Sequence, residues 1–356
     1  TASLIAYGSH YPHWAIAFSG GKDSSALVTL VIELIRSGKI PRPQSLTVLY
    51  ADTRMELPPL HAAALGILEE VRRRGYDTKV VYPNLDHRFF VYMLGRGVPP
   101  PSNRMRWCTP KLKVMAMEAA LEALRQQCGE KLLMLNGVRI GESAARDNRI
   151  VASCSKDGGE CGQGCFQRSG SDAIADNLAP LLHWRVCHIW DWLLHADLEP
   201  GYPTFEVAHV YGQDVSDGEE PLTARTGCIG CPLVSEDKAL LSLVSRAEYA
   251  YLRPLLKLRP LYWKVREPQY RHRKHGEVCR SGKLAANQNR LGPLTLETRQ
   301  WLLGKILEIE VEVNRLADPT KPRFCLIDPI ELGRIHELIE EKTFPHGWGG
   351  DEPKGD

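Results

Sequence analysis

Short apolar runs alternate with longer helix-forming stretches along the first part of this chain. The apolar runs predict strands at 14–18, 45–50, 78–82 and 131–137. The stretches between them predict helices over 26–35, 61–74 and 115–127. Strands that alternate with helices indicate parallel βαβ units with right-handed crossovers, and such sheets bind ligands at the carboxyl ends of their strands.

The rest of the chain is predicted to be mostly helical. Residues 301–316 and 329–341 have helical patterns, whereas the last residues are rich in Gly, Pro and Asp and are predicted to be disordered. We therefore predict an α/β fold in three parts. They are a parallel-sheet domain with cysteine-bearing insertions over 1–235, a basic helical region over 236–344 and a disordered tail over 345–356.

A glycine-rich turn joins the first predicted strand to the first predicted helix. A helix N-terminus offers unpaired backbone N–H groups and the positive end of the helix dipole, both of which favour an anion. Two glycines let the backbone approach that anion closely, and a lysine adds positive charge. The turn is therefore a predicted phosphate site, with a spacing different from that of the Walker motif. It consists of Ser19, Gly20, Gly21, Lys22, Asp23, Ser24 and Ser25.

Two more residues follow predicted strand ends. Asp52 comes after the second strand and Gly137 after the fourth. Because the carboxyl ends of parallel strands meet at one edge of a sheet, we expect Gly20, Asp52 and Gly137 to line one crevice. Asp52 suits three tasks, which are accepting a hydrogen bond from an adenine amino group or a ribose hydroxyl, holding Mg²⁺, or capping the next segment.

Neither a membrane-spanning helix nor a signal peptide is expected from the sequence. The chain has 356 residues, of which 43% are hydrophobic and 25% charged, as in ordinary globular proteins. No apolar run reaches the ~18 residues of a membrane helix, and the first residues lack a signal pattern. A cytoplasmic protein with no membrane partner is therefore expected. The net charge of +2 does not by itself indicate a nucleic-acid-binding protein.

Positive charge is concentrated between residues 246 and 290. This stretch has twelve Lys and Arg against three Glu, and Tyr and Trp residues are interleaved with them. Basic side chains with aromatic residues between them suit a phosphate backbone, which predicts contact with DNA. The alternative is a solvated helical face whose charge is balanced by the acidic stretch 297–312.

The ten cysteines are many for a chain without a secretory signal. Cys228-Ile229-Gly230-Cys231 would place two sulfurs on one metal, with Gly230 for the tight turn, although alone it could be a redox dithiol or half a zinc site. Three cysteines of a Gly-rich loop (Cys154, Cys161 and Cys165) could bind a cluster, exchange sulfur or remain thiols. Cys128 and Cys325 are expected to be ordinary buried thiols.

Four segments together resemble one family. They are Ser-Gly-Gly-Lys-Asp-Ser at 19–24, Arg-Trp-Cys-Thr-x-x-Leu-Lys at 106–113, Gly-Val-Arg-x-x-Glu-Ser-x-x-Arg at 137–146 and Gly-Cys-Ile-Gly-Cys at 227–231. This set resembles the PAPS-reductase superfamily of PP-loop ATP pyrophosphatases. Within it, the set is most similar to the DNA phosphorothioation sulfurtransferase components DndC and SspD. The resemblance covers about residues 14–300 and implies an adenine nucleotide α-hydrolase-like fold.

The resemblance implies an ATP pyrophosphatase and sulfurtransferase that uses ATP with Mg²⁺ to adenylylate a DNA phosphate. A cysteine desulfurase as sulfur donor and other phosphorothioation subunits are the implied partners. The implied catalytic residues are Lys22, Asp23, Arg139 and Arg146. The implied nucleotide-binding residues are Ser19, Gly20, Gly21, Lys22, Asp23, Ser24, Ser25, Asp52, Gly137 and Glu142.

A [4Fe–4S] cluster is the implied metal group. The resemblance assigns it to Cys108, Cys228 and Cys231, with Cys161 as the expected fourth ligand and Cys154 or Cys165 as alternatives. Zinc would use the same four thiolates and remains the alternative metal.

Three other functions remain open at this point. They are an APS/PAPS reductase-like enzyme, a tRNA-thiolating PP-loop enzyme, and a non-catalytic DNA-binding subunit that uses the nucleotide as a switch. The reductases carry a C-terminal Glu-Cys-Gly nucleophile, whereas the last cysteine here stands in Arg323-Phe324-Cys325-Leu326.

Overall fold

The computed structural model has the predicted alternation of strands and helices. It describes residues 1–141, 147–148, 165–170, 172–212, 227–277, 282–284, 286–287, 289–320 and 322–355. The helices and strands up to residue 210 are α1 (Ala2–Gly8), β1 (His13–Phe18), α2 (Lys22–Arg36), β2 (Ser45–Ala51), α3 (Pro58–Arg73), β3 (Asp77–Val81), α4 (Met115–Cys128), β4 (Leu132–Leu135), β5 (Cys165–Gln167), β6 (Ala175–Ala179), α5 (Val186–Leu198) and α6 (Phe205–Val210).

Six strands form one sheet in the order β3-β2-β1-β4-β6-β5. All neighbours pair in parallel except β5, which runs antiparallel at the edge. Ile16 in β1 is in register with Val48 in β2 and with Leu135 in β4. The predicted α/β class with a parallel sheet is therefore confirmed. β6 is absent from the sequence prediction because it includes the polar residues Asp176 and Asn177, which break the apolar pattern.

The sheet is buried on both faces around its central strand. Ala15 and Ile16 of β1 have no exposed surface, and neither do Leu27 and Val28 of α2. A strand covered on both faces has a continuous apolar sequence rather than an alternating one, which is why the run at 14–18 is recognisable. The polar residues 19–25 directly follow this buried strand and therefore lie at the carboxyl edge of the sheet.

The chain forms two compact units whose boundaries differ from the predicted ones. The first unit comprises 1–52, 58–82 and 115–223, and the second comprises 53–57, 83–114 and 224–356. The segment 83–114 packs with the C-terminal half because Arg88 Nη1 donates to Asp328 Oδ2 at 3.2 Å. The segment 53–57 joins them through a hydrogen bond of 2.7 Å from the N–H of Ile229 to the carbonyl of Met55.

The second unit is only partly helical. Its helices and strands are α7 (Lys238–Ser245), α8 (Leu258–Lys264), β7 (Arg271–His275), β8 (Asn289–Leu294), α9 (Leu296–Leu316) and α10 (Pro329–Glu340). A 3₁₀ helix spans Ala247–Lys257, and short turns of π-helix span Val91–Gly95 and Pro110–Val114. The antiparallel pair β7–β8 lies inside the region predicted to be helical. β7 consists of Arg, Lys and His, and β8 contains Gly and Pro, so neither strand has the alternating apolar pattern by which a strand is recognised in a sequence.

The last residues, predicted to be disordered, pack on this hairpin as far as residue 355. The N–H of Arg273 donates to the carbonyl of Pro353 at 2.8 Å. The ring of Trp348 has Lys274 Nζ 4.7 Å from its centroid and the guanidinium of Arg290 at 5.2 Å. A Cβ atom at Gly292 would overlap this ring, so the hairpin needs glycine there. These contacts hold the tail in place, and its described residues form no helix or strand of their own. Its Gly-, Pro- and Asp-rich composition therefore suggested disorder.

Candidate functional site

Residues 19–25, the phosphate loop, form a tight turn between β1 and α2. The N–H of Ser19 donates to Ser24 Oγ at 3.2 Å, and the Ser24 hydroxyl donates to the carbonyl of Gly21 at 3.0 Å. Gly20 has φ +75°, and a Cβ there would lie 2.8 Å from the Cβ of Ala64. Glycine is therefore required at position 20 both by the backbone conformation and by the close approach of α3.

The N-terminus of α2 is left without a side-chain cap. Gly21 occupies the N-cap position and provides no side-chain hydrogen bond. The Ser25 hydroxyl is fully buried and has no hydrogen-bond partner among the described residues. Unpaired donors at the start of a 15-residue helix form the arrangement that binds anions elsewhere.

Two cations share one carboxylate beside the phosphate loop. Lys22 Nζ lies 3.0 Å from Asp23 Oδ2, and Arg139 Nε donates to Asp23 Oδ1. Arg139 also donates through Nη1 to the carbonyl of Trp184 at 3.1 Å, and Lys22 Nζ is 5.5 Å from the ring centroid of Tyr211. Lys22 and Arg139 are both buried. Lys22 and Arg139 thus place two positive charges beside the start of α2, where an anion would be attracted.

The ends of β2 and β4 flank the phosphate loop, because both strands pair with β1. Gly137 follows β4, and a Cβ there would lie only 3.0 Å from the carbonyl oxygen of Asp23. Asp52 follows β2, is buried, and has Oδ2 3.9 Å from His61 Nε2. The structure therefore brings Gly137 and Arg139 against the loop and places Asp52 at the end of the neighbouring strand.

Some predicted site residues lie outside the described residues. These are Glu142 and Arg146 of the nucleotide segment, and Cys161 and Cys154 of the Gly-rich loop. Cys165 begins β5, but its side chain is also outside the described part.

Cys108, Cys228 and Cys231, called the thiol cluster below, all belong to the second unit. The turn that carries two of them is closed by a hydrogen bond of 3.1 Å from the N–H of Cys231 to the carbonyl of Cys228. Gly230 has φ +63°, and a Cβ there would lie 2.8 Å from the Cβ of Leu258. The prediction that glycine permits this tight turn is therefore confirmed.

The three thiols influence one another electrostatically. Burial raises the pKa of Cys228 to about 12, and the proximity of Cys231 and Cys108 adds to this rise, whereas Lys113 opposes it. Burial also raises the pKa of Cys108, and Cys231 contributes to that rise. Two distant segments of the chain thus contribute three half-buried cysteines that lie near one another.

Buried donors without partners surround the thiol cluster. The Tyr262 hydroxyl and Arg266 Nε have no hydrogen-bond partner among the described residues. Tyr262 packs on the turn that carries two of the thiols, because a Cβ at Gly230 would lie 3.4 Å from its Cε2. Burial raises the pKa of Tyr262, and Cys228 and Cys231 add to this rise. Burial lowers the pKa of Arg266, and Cys231 opposes this change. Unpaired buried donors are costly unless a ligand satisfies them.

These residues fit a thiolate-bound metal group. Within the described ranges, no three Cys, His, Asp or Glu side chains already stand as a set of metal ligands. The three thiols nevertheless lie near enough to affect one another's ionisation, and the nearby guanidinium and hydroxyl groups would offset negative charge on sulfur. The fourth ligand predicted from the Gly-rich loop falls in the undescribed segment.

Sequence reasoning missed the aromatic residues that support the thiol cluster. Trp107, next to Cys108, is buried and donates through Nε1 to the carbonyl of Pro99 at 2.9 Å. Its ring centroid lies 5.4 Å from that of Phe89, which is 5.5 Å from that of Tyr262. The proximity of Trp107 to Cys108 in the sequence was the one available signal. Of the two cysteines predicted to be ordinary buried thiols, Cys128 is half-buried, whereas Cys325 is exposed, so the prediction for Cys325 is wrong.

A family model described as phosphoadenosine phosphosulfate reductase domain matches residues 13–203, a little over half of the chain. Two uncharacterized proteins of Methanocaldococcus jannaschii are similar to this chain. One is 23% identical, and the match covers 61% of this chain and 40% of the relative. The other is 26% identical, and the match covers 50% of this chain and 31% of the relative. The chain therefore spans less than half the length of these curated relatives.

Two solved structures are also similar in part. The phosphoadenylyl-sulfate (PAPS) reductase from Candida auris, in a phosphate complex, is 9% identical, with 63% of this chain and 88% of that chain covered and a TM-score of 0.36. The U34-tRNA thiolase NcsA from Methanococcus maripaludis, with its [4Fe–4S] cluster, is 15% identical, with 56% and 65% covered and a TM-score of 0.32. Among the helices that the structure describes, none combines the length and apolar character needed to cross a membrane.

Proposed function

This chain belongs to the phosphoadenosine phosphosulfate reductase domain family, and from that premise we propose that it is an ATP pyrophosphatase that activates a DNA backbone phosphate for sulfur incorporation. The observation that carries the proposal is the phosphate loop, where Lys22 and Arg139 meet Asp23 at the uncapped N-terminus of α2. The choice of DNA is supported by the four motifs that resemble the DNA phosphorothioation branch.

The proposed reaction has two steps. A nonbridging oxygen of the DNA phosphate attacks the α-phosphorus of ATP, and the bond from this phosphorus to its bridging oxygen breaks as pyrophosphate leaves with the electron pair. Sulfur from a partner cysteine desulfurase, reduced by a thiol to the sulfide level, then attacks the DNA phosphorus. A P–S bond forms, the P–O bond to AMP breaks, and AMP leaves.

The phosphate loop would stabilise the charge that develops on pyrophosphate. Its backbone N–H groups and Lys22 are fixed donors in a buried setting, where such donors act more strongly than in water. Asp23 holds Lys22 and Arg139 in place by pairing with both. Asp52 is the candidate Mg²⁺ ligand, because Mg²⁺ commonly takes one or two carboxylates and completes its shell with substrate phosphates and water.

The thiol cluster would hold the [4Fe–4S] group, with zinc as the alternative metal. When bound, such a group can bind a sulfur atom at iron or transfer an electron. Cys108, Cys228 and Cys231 would be three of its ligands, and the Tyr262 hydroxyl and Arg266 would donate to its sulfurs. Other phosphorothioation subunits would complete the system that delivers sulfur.

The test is the fate of ATP labelled in the α-phosphate, followed under anaerobic conditions with duplex DNA, tRNA or adenylyl sulfate as the second substrate. The proposal expects AMP and pyrophosphate to accumulate with DNA. When a desulfurase and cysteine are added, it expects phosphorothioate dinucleotides on digestion and mass spectrometry. Stimulation by tRNA alone would support a thiolase, and consumption of adenylyl sulfate would support a reductase. ATP binding with no pyrophosphate under any condition would support a nucleotide-switched binding subunit.

A further inference from the structure

Five of the described cations of the basic stretch 246–290 are held by contacts inside the second unit. Arg271 donates to the carbonyls of Gly292 and Leu291 at 2.8 and 3.1 Å, and Arg266 donates to the carbonyl of Pro101. Further contacts pair Lys257 with Glu312, Lys274 with Glu352 and Arg290 with Glu277. Cations that hold the hairpin and its neighbours together are poor candidates for binding a large anion.

A second set of cations, in a loop outside the stretch 246–290, is exposed to solvent. Residues 102–113, called the basic loop below, include Arg104, Arg106 and Lys113, and all three are exposed. Arg106 Nη2 donates to Asn103 Oδ1 at 2.8 Å. In the part of the chain that the structure describes, no carboxylate forms an ion pair with any of the three. Their charge is therefore available to a ligand.

The basic loop is anchored and not merely exposed. The N–H groups of Ser102 and Met105 donate to each other's carbonyls at 3.1 and 3.0 Å, which closes a tight turn. Behind this turn, buried Trp107 packs against Phe89 and Tyr92, with ring centroids 5.4 and 4.8 Å apart. A ligand would therefore meet cations on a fixed backbone, and ordering the loop would cost little conformational entropy.

The basic loop also carries Cys108 of the thiol cluster. Exposed Met105 and Val114 add apolar surface beside the cations. The loop thus presents positive charge directly beside the group proposed to serve sulfur chemistry.

We propose that Arg104, Arg106 and Lys113 bind the phosphate backbone of double-stranded DNA. This inference rests on the proposed function, because that function supplies the polyanion and assigns the nucleotide to the phosphate loop of the other unit. A chain with a net charge of only +2 needs a local cationic surface to hold DNA. The contact is to the backbone, so it is independent of base sequence and sensitive to salt.

The test measures the affinity of the full-length protein for a fluorescein-labelled random-sequence DNA duplex at several salt concentrations. The variant Arg104→Gln/Arg106→Gln/Lys113→Gln removes the three charges. The matched control Arg253→Gln/Lys257→Gln/Lys264→Gln removes three exposed charges of the stretch 246–290. Thermal unfolding and iron content show whether each protein is intact. A third variant, Arg104→Lys/Arg106→Lys, keeps the charge of the loop.

The loop variant is expected to lower the slope of log Kd against log salt by about 2.7, since each phosphate contact contributes about 0.9. Its Kd at ~0.1 M salt should rise at least about tenfold, while the control and the Lys variant stay near wild type. An unchanged slope in the loop variant, or an equal loss in the control, would overturn the inference and leave the proposed function standing. A wild-type protein that binds an RNA duplex and not DNA would overturn both.

Discussion

Lys22 is the residue on which ATP turnover is expected to depend most directly. Lys22→Ala removes a buried ammonium that faces Asp23 and the start of α2. Pyrophosphate release should fall by about 10²–10³-fold, which is typical for loss of one fixed charge-stabilising donor. The exposed Lys39→Ala provides the control, because Lys39 lies beyond the other end of the same helix. A Lys22→Ala protein with near wild-type release would contradict the assignment of the phosphate loop.

Tyr262 offers a residue-scale test of the thiol cluster. Its hydroxyl is buried and has no partner among the described residues, so Tyr262→Phe should leave folding unharmed. If the hydroxyl donates to a cluster sulfur, its loss should move the midpoint potential to more negative values. A tenfold change in the ratio of reduced to oxidised forms would appear as about 59 mV for a one-electron couple. An iron-loaded variant with an unchanged potential would show that the hydroxyl is merely buried.

The sequence predicts site residues that belong to one short motif. It misses residues that reach the site only because distant segments pack together. Lys22 and Asp23 follow from the character of a strand–turn–helix junction, and Arg139 from its motif. Tyr262 and Trp107 belong to the site only because the segments around 107 and 262 pack on each other. The one sequence signal for this packing was Gly230, because the turn approaches α8 closely at that position.

The turn between Cys228 and Cys231 is the element most sensitive to a single methyl group. Gly230→Ala would force an L-residue into φ +63° and set a Cβ 2.8 Å from that of Leu258. The free energy of unfolding should fall by about 2–4 kcal/mol, and iron content should fall with it. Gly304→Ala is the matched control, because it lies within α9 with open space around it and should be neutral or slightly stabilising. Equal iron content in both variants would mean that the turn does not position the cluster ligands.

Asp86 joins three elements of the second unit and gives its stability a dependence on pH. Two hydrogen bonds from Arg334, at 2.8 and 3.2 Å, and one from Arg96 lower the pKa of Asp86 to about 2. Because its folded pKa lies below the unfolded value of about 3.9, this contribution is complete above that value and disappears as the pH falls toward 2.

Asp86→Asn should therefore lower the free energy of unfolding at pH 7 by roughly 1–2 kcal/mol, allowing for solvent screening of a partly exposed pair. The difference from wild type should shrink as urea titrations are repeated from pH 5 down to pH 2. Asp77→Asn, at an exposed position that begins β3, is the control and should differ little at any pH. A constant difference for Asp86→Asn across this range would show that ionisation is not the source of the stability.

Elements buried on both faces were predictable, and elements held by distant partners were not. β1 and β2 have nearly continuous apolar sequences because both of their faces are buried, and α9 and α10 have helical patterns. β7 consists of basic residues, β8 contains Gly and Pro, and the Arg271 guanidinium of β7 donates to backbone carbonyls of β8. The pattern of apolar residues within one segment does not indicate that β7 and β8 pair with each other.

At the scale of the whole molecule, the candidate chemistries belong to residues of different units. The phosphate loop, Asp52, Gly137 and Arg139 are in the first unit, whereas the thiol cluster and the basic loop are in the second. The second unit is assembled from three separate stretches of the chain, which is why a single boundary at residue 235 could not describe it. The cysteines at 108 and 228–231 come together only through this assembly.

The two chemistries should therefore be separable by mutation. Lys22→Ala is expected to lower pyrophosphate release by about 10²–10³-fold while keeping the iron content and visible absorption of the anaerobically purified wild type. Cys231→Ser is expected to lose the iron and the sulfur incorporation into DNA but to keep pyrophosphate release, because the thiol cluster and the phosphate loop belong to different units. Cys187→Ser, at an exposed cysteine of the first unit, is the control and should keep all three properties. A colourless wild type that holds one zinc per chain would remove the cluster and retain the ATP site. Loss of pyrophosphate release in Cys231→Ser, with folding intact, would mean that nucleotide chemistry depends on the thiol cluster.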